Sequence, residues 1–219
     1  GDAALTCDLL WQFMSLAAPA YGRCDDSNGT ISAIFATALE DLGRAVSAAK
    51  PAAVDLADKV FAGIVANDYG QYDDLIPLMA EALGPKGLNT LKARFEAMAA
   101  DPPKRAEKDA RKAIGWSSRG AIYEDDRTIS RHHRLVQSAM TEIADALGDV
   151  DGYIARFSAE EQANPAIAAR IAERLLGAGR APDAMAALVK AEQQRGPNGY
   201  WPDWDRVRID TLEALGQSE

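Results

Sequence analysis

Cysteine is scarce. Cys7 and Cys24 are the two in 219 residues, too few for a disulfide scaffold, so a reducing, cytoplasmic setting is expected. Aromatic residues make up 7% of the chain, and no run of Val, Ile, Thr or aromatic residues alternates for more than a few positions. That leaves little material for strands and points to an all-α fold. No apolar run approaches the ~18 residues that cross a bilayer, and residues 1–20 lack the basic segment that opens a signal peptide. Excess basic charge is missing too. The formal net charge is −9, which argues against a nucleic-acid partner. Catalytic signatures are absent: there is no GxSxG, no Walker-type glycine loop, no HExxH and no glycine fingerprint after a strand. An enzyme is therefore not the expectation.

What is present is alanine, leucine and charge. Apolar residues reach 47%, a composition suited to helices packed closely on helices. A first helix is expected through Leu5, Leu9, Leu10, Phe13 and Leu16, ended by Pro19 and Gly22. Thr30 is the expected N-cap of a second, and Pro51 sits in the first turn of a third. A fourth and a fifth are divided by the Gly84-Pro85 stop signal. Residues 101–119 carry more basic than acidic side chains behind Pro102-Pro103 and read as a boundary. The division expected is 1–100 as an N-terminal helical array, 101–125 as a charged linker or solvated helix, and 126–219 as C-terminal helical repeats, together one continuous solenoid.

The segment 165–197 is the most regular. Small residues at Ala172, Gly179, Ala184 and Ala191, with Leu175 and Leu188 between them, resemble a tetratricopeptide repeat. Small residues there let two antiparallel helices approach while large ones fill the gap. The string Leu175 to Gly179 is echoed by Leu212 to Gly216, offset by 37 positions. The expected architecture is antiparallel helix pairs stacked as an α-solenoid of about ten helices. The echo supplies a first helix without its partner and no polar cap, so the chain reads as a fragment of a longer protein.

The strings RCDDSNGT, NDYGQYDDLI, ADALGDVDGYIA and VRIDTLEALG are similar to those of a bacterial helical family, domain of unknown function 6880. The resemblance runs from about residue 5 to residue 217 and is weakest over 101–128. It implies an intracellular α-solenoid, normally longer than this chain, and implies no activity.

Two loops carry the first candidate site. If short connections make the helices alternate, RCDDSNG and NDYGQYDD emerge on one edge. That edge would gather Arg23, Asp25, Asp26, Asn28, Asp68, Tyr69, Gln71, Tyr72, Asp73 and Asp74 into an acidic, aromatic patch suited to a protein or peptide partner. The structural alternative is that these residues cap helices and shape turns. An EF-hand reading fails, because its first and twelfth ligands would be Cys24 and Phe35. Cys7, Cys24, His132 and His133 lack zinc spacing, so no metal or cofactor is expected. The basic cluster of Arg127, Arg131 and Arg134 reads as a solvated face. Tyr200, Trp201 and Trp204 read as a plug between the last two helices, and Arg170, Arg174 and Lys190 form a second candidate face.

The function expected is an intracellular protein–protein interaction module or scaffold, monomeric, with no membrane contact. Two alternatives come from other classes. A metal-assisted hydrolase needs Asp25, Asp26 and Asp73 to converge on one point. A structural spacer in a larger protein needs no exposed apolar or aromatic patch.

Overall fold

The computed structural model describes residues 2–118, 120–196 and 199–217, and Leu147/Gly148 divides the chain into two compact units. The first unit comprises α1 (Ala3–Met14), α2 (Ala17–Tyr21), α3 (Thr30–Ala49), α4 (Ala53–Val65), α5 (Leu75–Ala100), a 3-10 turn at Lys108–Ala110, β1 (Ala113–Ser117), β2 (Gly120–Tyr123) and α6 (Glu124–Ala146). The second comprises α7 (Val150–Ile154), α8 (Ala159–Gln162), α9 (Pro165–Gly177), α10 (Ala181–Glu192) and α11 (Pro202–Ala214). The fold is all-α, with one two-stranded antiparallel hairpin among the described residues. No helix among the described residues is long and apolar enough to cross a membrane.

In the first unit α1 packs on α3, α3 on α5, α4 on α5, and α5 on α6. The core between them is mostly aliphatic: Leu42, Leu56, Val60, Leu75, Ile76, Met79, Leu91 and Ile143 are buried, with the Phe95 ring among them. Each comes from a stripe at helical spacing, so burial of that stripe holds the helix in place. The break inside α5 falls at Gly84, whose φ of 54° and ψ of −176° leave the helical region. Pro85 then restarts the helix without needing a donor. Two turns meet closely just beyond. A Cβ on Gly87 would lie 3.0 Å from the Ala53 carbonyl oxygen, so glycine there lets α5 lie against the start of α4.

One local expectation is corrected. Thr30 is the first helical residue of α3, not its cap, because the cap position is Gly29 at φ 72°. Asp26 takes over the capping from upstream, accepting from the backbone N–H of Ile31 at 2.6 Å and of Ser32 at 3.0 Å. Between α5 and α6 the described residues form coil, the 3-10 turn and the hairpin, and α6 begins at Glu124. Trp116 pairs with Ala121 and Gly115 with Ile122, with a bulge at Ala113/Gly115. The alternating stretch is only a few residues long, too short to stand out as strand from pattern alone. Arg111 anchors the hairpin base on Asp125, in the first turn of α6. Trp116 at its far end is 81% exposed.

In the second unit α9 packs on α10, and α11 packs on both. Of the positions in the small-residue spacing, Ala172, Ala184 and Ala191 are buried with Leu175 and Leu188 between them, whereas Gly179 is exposed in the turn after α9. Of the expected aromatic plug, Trp204 is buried, Trp201 donates from Nε1 to the Arg195 carbonyl at 3.2 Å, and Tyr200 stands exposed.

Candidate functional site

Asp26 does more than cap α3. Its Oδ2 accepts from the Ser32 hydroxyl at 2.6 Å, and Ser32 Oγ accepts from the Tyr21 hydroxyl at 3.0 Å. The Tyr21 ring stacks on Tyr69, with centroids 4.9 Å apart and planes 13° from parallel. The two loops therefore meet on one edge through the chain Asp26–Ser32–Tyr21–Tyr69. The Ser32 hydroxyl, together with the Ile31 and Ser32 amides, holds the Asp26 carboxyl below its ordinary range. Asp25 accepts from Ser27 N–H at 3.0 Å and Asn28 from Thr30 N–H at 3.1 Å, both turn-forming bonds. Arg23 is exposed beside them.

The second loop divides into inward and outward residues. Gln71 and Tyr72, expected on the surface, are buried. Gln71 closes the loop, accepting from Tyr69 N–H at 3.1 Å and donating to the Ala66 carbonyl at 3.1 Å. Tyr72 packs in the core against Trp11, and burial raises its hydroxyl pKa. Asn67 ties the loop together, donating to Asp73 at 2.7 Å and accepting from Tyr72 N–H at 3.0 Å. Asp68, Tyr69 and Asp73 remain exposed. Asp68 pairs with Arg131 on α6.

That pairing marks the rim of a groove of about 540 Å³ between the loop and α6. Ile64, Asn67 and Asp73 form one wall, and Arg131, Arg134, Leu135, Ser138, Ala139 and Glu142 the other. Glu142 is the group that the sequence reading missed. One carboxylate oxygen accepts from the Ser138 hydroxyl at 3.0 Å, while the other is sealed from solvent with no donor. Burial first, then the charges of Asp74 and Asp73, push its carboxyl up to about 7, against the lowering effect of Ser138. Read as a charge on an amphipathic helix, Glu142 is ordinary. Its position was the available signal, since Leu135, Ala139 and Glu142 fall on one stripe at helical spacing.

The other candidates divide between contacts within the fold and solvent. His132 Nε2 lies 3.0 Å from the Met98 carbonyl oxygen and His133 is exposed. On the second face, Arg174 lies over the Tyr153 ring at 4.2 Å and Lys190 donates to Gln162 at 3.3 Å. Arg170 is exposed. Cys7 is buried, which raises its thiol pKa, and Cys24 is exposed, both as free thiols. Among the described residues no three His, Cys, Asp or Glu side chains converge as metal donors. Asp26 in particular spends its oxygens on the start of α3.

The chain belongs to a family described as "Family of unknown function (DUF6880)", whose model matches residues 1–219. No curated protein matches it, and no solved structure does.

Proposed function

We propose that this family member is an intracellular interaction module, a TPR-like solenoid that holds a segment of a partner protein on its loop edge and in the adjoining groove. The groove between the Asn67–Asp74 loop and α6 is the observation that carries this reading. It is of ligand size, it is walled by charged side chains from two elements, and its lining includes Glu142, one of whose carboxylate oxygens has no donor. Exposed Asp25, Asp68, Tyr69 and Asp73 continue the surface along the edge. The solenoid part of the proposal rests on the order of packing in the second unit. There α9 and α10 are joined by three residues, Ala178 to Arg180, which forces an antiparallel pair, and α11 then packs where the next repeat would begin. Free Cys24 and Cys7 suit a reducing compartment.

Photo-crosslinking tests the reading. A photoreactive residue at Ser138 in the groove should capture a partner in cells that make the protein, and one at Ser47, exposed on α3, should not. Equal capture from both positions, or from neither, would set the reading aside.

A further inference from the structure

The groove is electrically polar along its length. Arg134, Ser138 and Glu142 are spaced by four residues and share one stripe of α6. At 1.5 Å per residue, the arginine and the glutamate are separated along the axis by about 12 Å. Ions at the arginine end are unevenly committed. Arg131 already pairs with Asp68, whereas Arg134 makes no ion pair among the described residues. At the other end Glu142 shares the groove lining with Asp73, the Asp74 charge also acts on it, and among the described residues the donor to its carboxylate is the Ser138 hydroxyl. A cation entering there relieves the repulsion among three carboxylates, and an anion entering there adds to it. The reverse holds beside Arg134, which offers a planar fork for a carboxylate.

Resting on the interaction reading above, we propose that the groove takes an extended segment of a partner protein carrying a basic side chain against Glu142 and Asp73 and an acidic side chain against Arg134. An extended chain advances about 3.3 Å per residue, so the two charges belong three or four positions apart. The walls supply Leu135 and Ala139 between the charged ends, which suits short apolar or small residues in the middle of the segment. Recognition would then lie in the order and spacing of charge, with opposite charges at each end favouring the segment that matches both.

The test uses the whole chain, labelled with nitrogen-15, and capped synthetic peptides with lysine and glutamate separated by two glycine or serine residues. The expected result is saturable shifts confined to residues 66–74 and 134–142, with a dissociation constant of roughly millimolar or tighter. Replacing the peptide lysine by norleucine should weaken binding about tenfold in the natural chain and have little effect in Glu142→Gln. That would give the non-additivity expected of a direct pair. The peptide glutamate and Arg134→Gln should couple in the same way. A second readout follows from linkage: the bound lysine should lower the Glu142 titration midpoint by about the tenfold factor, one unit. Binding should therefore strengthen as pH rises through the Glu142 midpoint. Uncharged peptides that bind as well as the charged ones would overturn the proposal, as would shifts mapping elsewhere or no saturation at about 10 mM. A partner crosslinked at Ser138 but indifferent to Glu142→Gln and Arg134→Gln would overturn it too, and leave the interaction reading intact. Glu142→Gln keeps the shape of the side chain and removes a poorly solvated charge, so it should fold.

Discussion

The Arg111 guanidinium forks onto the Asp125 carboxylate, with Nε 2.9 Å from Oδ2 and Nη2 2.9 Å from Oδ1, and lies 3.8 Å from the centre of the Tyr123 ring. The pair stands at the join of hairpin and α6, and both side chains are largely buried. Arg111 is the largest influence holding Asp125 down to about 2, with the Ala106 and Asp126 amides adding to it. A carboxylate whose folded pKa is depressed contributes stability above its unfolded value near ~4, and that contribution is lost as pH falls toward about 2. The hairpin should therefore loosen over that acid window before α4 and α5 do. Amide exchange at Gly115 and Ile122 reads it, and Arg111→Lys, which cannot make the fork, should speed exchange there by about tenfold at neutral pH. Unchanged exchange in that variant would show that the ion pair is decorative.

Glu142 obeys the opposite sign. Its folded value near 7 lies above that of an unfolded glutamate, so the native state retains a proton that the unfolded chain gives up. Stability should fall as pH rises from ~4.3 to about 7 and then level off. Glu142→Gln should flatten that slope and raise stability at pH 8 by on the order of 1 kcal/mol. Denaturant midpoints at several pH values decide it, and parallel curves for the two chains would place the titration elsewhere.

Gly87→Ala should destabilise the first unit by about 1–3 kcal/mol, since the new methyl would press on the Ala53 carbonyl at 3.0 Å and on the Leu83 side chain at 2.9 Å. Gly177→Ala is the matched control. Nothing lies within 4 Å of its Cβ position, and alanine there should stabilise α9 by about 0.5–1 kcal/mol. A similar effect at both sites would mean that helix propensity, not contact, governs Gly87.

Asp26→Ala should lower the melting midpoint by a few degrees, because it removes the acceptor of two backbone N–H groups at the start of α3 and of the Ser32 hydroxyl. Asp25→Ala, which removes a single turn bond, should scarcely move it. If the two behave alike, the Asp26 relay contributes little in solution.

The helices were legible because each writes its buried stripe at a fixed spacing, and the break at Gly84-Pro85 was legible because both residues act locally. The hairpin was not, since Ile114, Trp116 and Ile122 alternate over too short a stretch and their anchor, Arg111 on Asp125, is fourteen residues away in sequence. The loop edge was half legible. Asp and Asn near helix starts announced caps, but which tyrosine turned inward depended on Trp11, far up the chain. Glu142 was invisible as a site because charge on a helix is ordinary until a loop covers it.

Cys24 and Cys7 give the edge a built-in reporter. With the one thiol exposed two residues from Asp26 and the other buried with a raised pKa, a maleimide dye should attach at a single place without mutation. A fluorophore there would sit beside the Tyr21–Tyr69 stack, so occupancy of this edge becomes a signal read in real time from the natural chain.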